Sequence, residues 1–235
     1  MRARTSPNFD DRGGAPVDIL VLHYTGMETA EAALARLIDP SAKVSAHYLI
    51  DEAGGVTHLV DERWRAWHAG QSFWRGVTDV NARSIGIELV NPGHEFGYRP
   101  FPQLQMAALT ELAGDILTRH PIPARNVVGH SDVAPRRKMD PGELLDWRRL
   151  AETGIGLWPE HPHSETPTPS PMDMTACLPS LAAIGYETID PPATLRAFQR
   201  RYRPACIDGR LDGDTARRIR ALAALLAAGE VVARR

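Results

Sequence analysis

The sequence predicts a mixed α/β fold: a central mixed β-sheet flanked by helices, followed by a small C-terminal domain of three helices. Three observations lead there. Up to Trp158, short apolar runs alternate with stretches of helical period. Two of those runs flank a glycine-containing turn, a hairpin arrangement that a purely parallel sheet would not contain. Residues 159–171 then read PEHPHSETPTPSP. Proline at that density removes the backbone donors that a helix or an inner strand needs, so the stretch reads as a semi-extended linker. The expected division is a domain over 1–158, a proline-rich linker over 159–176 and a helical domain over 177–235. On this reading a chain ending at Trp158 folds by itself.

Each element has its own signal. Residues 17–22 are mostly apolar and lie between Pro16 and Gly26, which suits a buried strand. Residues 29–38 follow a helical pattern, with Ala33, Leu34, Leu37 and Ile38 on one side. The runs 46–50 and 56–60 flank Asp51-Glu52-Ala53-Gly54-Gly55 as the hairpin. Residues 84–90 form the clearest strand: alternation puts Ile85, Ile87 and Leu89 on one face and Gly86 and Glu88 on the other. From Pro102 the chain turns helical, with a stripe of Leu109, Leu112, Ala113, Ile116 and Leu117. Val127-Val128 is a last short strand, running into Gly129-His130. Beyond the linker, 177–184, 192–202 and 212–228 are helical. The second of these sets Leu195, Phe198 and Tyr202 on one face, and Asp212 or Asp214 is the candidate N-cap of the third.

Composition excludes several classes. The chain is 43% apolar and 24% charged, ordinary for a globular protein. Its 27 Lys and Arg against 29 Asp and Glu give a net charge of −2, so no nucleic-acid partner is expected. No run approaches the roughly 20 apolar residues of a membrane span. The basic opening leads into Asn8-Phe9-Asp10-Asp11 rather than an apolar export segment. That suggests the cytoplasm, with the periplasm or cell envelope the alternative if such a segment has been removed. Cys177 and Cys206 form no CxxC pair and are expected as reduced thiols.

The chemistry gathers at strand ends. His23 closes the first strand, His130 follows the last, and Asp140 lies in the loop Arg136-Arg137-Lys138-Met139-Asp140-Pro141-Gly142. Two imidazoles and a carboxylate are suitable zinc ligands, and three protein ligands leave a fourth position open, as in catalytic sites. Taken singly, a histidine is more often a surface or core residue, and spacing alone does not decide. His58, His94 and His120 are read as structural or solvent-facing. His161 and His163 in the linker have nothing rigid to hold a metal.

The surrounding motifs carry more. Leu22-His23-Tyr24-Thr25, Ser45-Ala46-His47-Tyr48, Ala66-Trp67-His68-Ala69-Gly70, Asn81 with Ser84-Ile85-Gly86-Ile87-Glu88, Gly129-His130-Ser131-Asp132 and Lys138-Met139-Asp140-Pro141-Gly142 occur in one order. Together, over about residues 17–150, they resemble the zinc-dependent N-acetylmuramoyl-L-alanine amidases of the amidase-2 type, the AmpD/AmiD family, and most its AmiD side. A more distant branch carries cysteine as third ligand, where this chain has Asp140. The resemblance implies the amidase-2 and peptidoglycan-recognition type of fold. It also implies one Zn2+ per chain on His23, His130 and Asp140, with Glu88 as general acid–base and Lys138 as the oxyanion's electrostatic partner. Without it, Glu88 would read as a solvated charge at a sheet edge and Lys138 as an ordinary surface lysine.

His47, Trp67, His68 and Asn81 become the candidate substrate-binding residues. Trp67 and Asn81 suit sugar or peptide contacts, whereas His47 and His68 either line the cleft or stand behind the ligands as hydrogen-bonded scaffold. The tail, with Leu181-Ala182-Ala183-Ile184-Gly185-Tyr186, Ala197-Phe198-Gln199-Arg200 and Asp208-Gly209, resembles a PG_binding_1-type peptidoglycan-binding domain; a generic three-helix appendage is the plainer alternative. The expected partners are therefore peptidoglycan fragments or cell wall, for a monomeric enzyme. A catalytically inactive recognition protein is the competing function, and loss of a metal ligand would be its mark. All three candidates are present.

Overall fold

In the computed structural model, residues 2–160 and 174–233 are described; most of the proline-rich linker, with His161 and His163, lies outside them. The strands are β1 (Arg2–Ala3), β2 (Phe9–Asp10), β3 (Ile19–Tyr24), β4 (Tyr48–Ile50), β5 (Val56–His58), β6 (Arg65–Ala66), β7 (Ser84–Leu89) and β8 (Val127–Gly129). Six of them form one sheet in the order β1-β5-β4-β7-β3-β8, while β2 and β6 make a separate ribbon. β3 runs parallel to both β7 and β8, and β4 is parallel to β7 but antiparallel to β5. The sheet is mixed, as the hairpin signal implied.

The helices are α1 (Ala30–Ile38), α2 (Val80–Arg83), α3 (Gly93–Phe96), α4 (Gln103–Arg119), α5 (His130–Val133), α6 (Trp147–Glu152), α7 (Leu178–Ile184), α8 (Pro191–Tyr202) and α9 (Gly213–Ala233). Side-chain caps open α1 and α9, the latter from Asp212, one of the two candidates. Thr29 accepts from the Ala32 amide at the start of α1, and Asp212 accepts from Thr215 N–H at 2.9 Å at the start of α9. Asp214 instead pairs with Arg203 and Arg218.

Alternation along the central strands sets both layers. Leu20, Leu22, Ile85, Ile87 and Leu89 pack on one face against Leu109, Leu112, Ala113 and Ile116 of α4. On the other face, Ile19, Val21 and Val128 share a core with Leu181 and Ile184 of α7, Leu195 and Phe198 of α8 and Ile219 of α9. The C-terminal helices are thus packed onto the sheet. The next positions on that face are His23, two residues after Val21, and His130, two after Val128. The same alternation that buries Ile19 and Val21 under the C-terminal helices delivers the histidines just beyond their edge. No helix among the described residues is long and apolar enough to cross a membrane. Cys177 and Cys206 are not disulfide-bonded.

One polar cluster away from this face is expected to contribute to acid sensitivity. Glu62 accepts from Tyr48 Oη at 2.6 Å, from Arg119 at 2.7 Å and from His120 Nε2 at 2.7 Å. Burial works against its charge, but these donors outweigh it and hold the carboxyl at about 2. A carboxyl lowered in the folded state contributes stability above its unfolded value of about 4.3, lost as pH falls toward the folded one. Fully realised, the shift would be worth about 3 kcal/mol; solvent screening at this partly exposed site roughly halves it. Glu62→Gln is therefore expected to flatten the stability profile between about pH 5 and 2, measured by denaturant melts; an unchanged slope there would refute the assignment.

Candidate metal centre and cleft

His23 Nδ1, His130 Nδ1 and Asp140 Oδ2 converge. The three atoms lie 3.0 Å (His23 to His130), 2.9 Å (His23 to Asp140) and 3.0 Å (His130 to Asp140) apart, and all three residues are buried. They are the one group among the described residues whose His, Cys, Asp or Glu side chains are gathered to hold a metal ion. A tetrahedral centre with bonds of about 2.0 Å has edges of about 3.3 Å, so the spacing suits zinc, as does a donor set of two nitrogens and one oxygen.

Protonation follows from the partners. His130 Nε2 stands 3.0 Å from the Ala69 carbonyl, which can only accept, so Nε2 carries the proton and Nδ1 its lone pair. His23 Nε2 faces His68 Nδ1 at 3.0 Å, and His68 Nε2 faces Ser84 Oγ at 3.1 Å. A proton on Nε2 of each ring makes both contacts donor-to-acceptor and leaves His23 Nδ1 free to ligate. Burial, with the neighbouring His130, lowers the His23 pKa to about 4, and burial keeps His68 well below its ordinary value. Both rings are neutral at physiological pH. For Asp140, burial opposes ionisation, but His130 and His23 hold the carboxyl well below the usual range.

Two glycines make room for this packing. A Cβ on Gly86 would stand 2.6 Å from the His68 ring, and one on Gly129 would meet Pro141 Cδ at 2.7 Å. The first lets His68 lie flat on β7 beneath His23. The second lets the loop carrying Asp140 close against the end of β8.

Around the centre is a cleft of about 880 Å³. Trp67, His68, Glu88, His130, Lys138 and Asp140 line it. Glu88 lies on the central strand β7, register-paired with His23, and not at a sheet edge. Its Oε2 is buried with no partner, and so is the indole Nε1 of Trp67. Unpaired buried polar atoms are costly, and two of them lining one cleft mark positions where a ligand would complete the bonding. Burial, reinforced by Asp140, raises the Glu88 pKa well above the ordinary value; Lys138 opposes the shift.

The predicted substrate-binding residues divide. Trp67 and His68 line the cleft, but His47 and Asn81 do not. His47 is fully buried, accepting from Gly86 N–H at 3.0 Å through Nδ1 and lying 3.1 Å from the Trp64 carbonyl through Nε2. Asn81 Oδ1 accepts from the amides of His68 (3.1 Å) and Ala69 (2.7 Å), and so holds the segment that carries one histidine and the carbonyl anchoring another. His47 Nδ1 and Asn81 Oδ1 are thus engaged by backbone amides, outside the cleft lining. Sequence reasoning missed Arg12, a buried guanidinium that donates to the carbonyls of Glu62, Asn81, Ala82 and Ser84. It also missed His94, which lines the cleft between Tyr24 Oη (2.8 Å) and Glu143 (3.2 Å).

Comparison with known proteins gives the family. Residues 13–143 match the family model described as N-acetylmuramoyl-L-alanine amidase. The chain is 38% identical over 229 residues to the N-acetylmuramoyl-L-alanine amidase AmiD of Escherichia coli, covering 85% of this chain and 79% of that protein. It is 34% identical over 163 residues to the 1,6-anhydro-N-acetylmuramyl-L-alanine amidase AmpD of Haemophilus influenzae, covering 61% of this chain and 86% of that one. Among solved structures, E. coli AmiD in complex with anhydro-N-acetylmuramic acid-L-Ala-D-γ-Glu-L-Lys superposes with a TM-score of 0.81 at 36% identity, over 91% of each chain.

Proposed function

The chain belongs to the N-acetylmuramoyl-L-alanine amidase family, and from that premise we propose that it hydrolyses the amide joining the lactyl group of N-acetylmuramic acid, or of its anhydro form, to L-alanine, with one zinc on His23, His130 and Asp140. The observation that carries the reading is the convergence of those three atoms beside a cleft lined by His130, Asp140, Glu88 and Lys138. The anhydro-muropeptide bound in the E. coli AmiD structure supports the substrate class.

A zinc bound there supplies Lewis acidity toward the scissile carbonyl and lowers the pKa of water toward roughly 7. The protein's own groups do the rest. Glu88 takes the proton from the attacking water and passes it to the departing nitrogen as the C–N bond breaks, which leaves a lactyl carboxylate and a free L-alanine amine. Its burial raises its proton affinity toward the range such a shuttle needs. The Lys138 ammonium offsets the negative charge that develops on the carbonyl oxygen. Trp67 offers a ring face and an unpaired N–H to the sugar or peptide. His68, Ser84 and Asn81 keep the ligand rings oriented.

The experiment couples metal analysis to mass spectrometry of digested anhydro-muropeptides. About one zinc per chain and peptides beginning with free L-alanine are expected. Glu88→Gln should lower kcat by about 10²- to 10⁴-fold and Lys138→Ala by about 10²- to 10³-fold, both with zinc retained. Loss of zinc in either variant, or full turnover in both, would overturn the roles. We also propose 1–158 as the catalytic part and 177–235 as a wall-binding part; the latter rests on the sequence resemblance, and co-sedimentation of the full protein with sacculi tests it.

A further inference from the structure

Asp132 belongs neither to the ligand set nor to the cleft lining, yet it is 1% exposed and its carboxylate accepts three hydrogen bonds. Oδ2 accepts from the Gly129 amide at 2.8 Å and from Arg201 Nη1 at 2.9 Å. Oδ1 accepts from Tyr186 Oη at 2.6 Å. The first bond is local and closes the N-terminal turn of α5, the helix whose first residue is His130. The other two come from the C-terminal helical part. Arg201, on α8, also donates to the Val127 carbonyl of β8 at 3.0 Å and lies flat over Trp147 at 3.9 Å. Tyr186, which follows α7, is held edge-on by Trp74 at 5.2 Å.

The gripped segment, 127–132, is the strand-to-helix turn from which His130 projects. It also fixes Asp140: the Ser131 amide donates to the Asp140 carbonyl at 2.8 Å. Two of the three proposed metal ligands therefore hang on one turn. Asp132 holds that turn from inside, and Tyr186 and Arg201 hold Asp132.

We infer that Tyr186 and Arg201 are positioning residues for the metal centre, acting through Asp132 to fix the turn that carries His130 and anchors Asp140. The C-terminal helices then have a second role besides any contact with wall: they tune the zinc site. A buried carboxylate with two bonds from a distant segment keeps one orientation, whereas one left with only the Gly129 amide can rotate and let the turn loosen. Loosening by a few tenths of an ångström is felt at a metal because ligand geometry must converge on one point.

The inference rests on reading His23, His130 and Asp140 as ligands, and its test separates the two. Tyr186→Phe keeps the ring packing and removes only the hydroxyl; Arg201→Met keeps most of the volume and removes the donors. Leu211→Ala is the control, since Leu211 lies in the same shared core and belongs to none of the proposed machinery. Zinc affinity is measured by chelator competition on the full chain, beside thermal melts, steady-state kinetics and the visible spectrum of the cobalt-substituted protein.

The expected result is about a tenfold loss of zinc affinity in Tyr186→Phe and Arg201→Met, with an altered cobalt spectrum and lower kcat at unchanged KM. Leu211→Ala should lower Tm yet keep affinity and spectrum. If the two variants bind zinc like the parent with the parent's spectrum, whatever their Tm, the inference is wrong and the contacts are only structural. Should Arg201→Met fail to fold, Tyr186→Phe alone decides. A parent protein that binds no zinc would instead end the metal reading itself.

Discussion

His130→Ala is expected to abolish hydrolysis, by roughly 10⁴-fold or more, and to leave only a small fraction of the zinc bound. The effect should exceed that of Glu88→Gln, because losing the metal removes activation of water and polarisation of the carbonyl together. It also removes the His130 Nε2 donor from the Ala69 carbonyl, which keeps its bond from Arg137. His23→Ala and Asp140→Ala should behave alike. Chelation of the parent should reproduce the loss and added zinc should reverse it, while the variants stay inactive at the same zinc concentration. A metal-free protein that turns over at the parental rate would exclude the zinc mechanism.

Ending the chain at Trp158 should damage the fold as well as any wall contact. The proline-rich stretch led to the expectation that residues up to Trp158 fold alone, but that expectation overlooks what α7 to α9 cover. Removing them uncovers Ile19, Val21, Trp74, Val128 and Val133, all 3% exposed or less in the whole protein. A fully buried side chain of this kind is worth about 1.5–3 kcal/mol, so even partial exposure of five approaches the 5–15 kcal/mol that holds a typical domain together. Asp132 also loses Arg201 and Tyr186. The truncated chain is expected to aggregate, or to melt at least 10 °C below the parent by circular dichroism. Coincident melts would show that the first 158 residues are independent of the rest.

The legible part of this molecule was whatever repeats along a strand or recurs as a local motif. Alternation assigned Ile85, Ile87 and Leu89 to one face and Glu88 to the other, and both assignments agree with the packing under α4 and the lining of the cleft. The three convergent side chains, His23, His130 and Asp140, were legible because each sits inside a characteristic string of neighbours. His94 was not. Its partners Tyr24 and Glu143 lie 70 and 49 residues away, and nothing adjacent to it announces either. The two-residue strands β1, β2 and β6 are shorter than any period that could reveal them. Docking of the tail was hidden for a different reason. Gln199, Arg200 and Arg201 are polar residues, yet all three are buried, and Gln199 and Arg201 find partners outside α8, at Asp208 and Arg210 for one and Asp132 for the other.

The shared core under α7, α8 and α9 also has a consequence in time. Synthesis runs from the N-terminus, so the strands that present Ile19, Val21 and Val128 are made well before the helices that cover them. The stretch from Trp158 to the end of α9 at Ala233 takes about 4–15 s at ordinary elongation rates. For that interval the nascent sheet has α4 on one face and an open apolar surface on the other. Cell-free synthesis slowed at codons after position 158 should therefore lower the soluble yield more than the same delay placed before β3, where no sheet yet exists to aggregate.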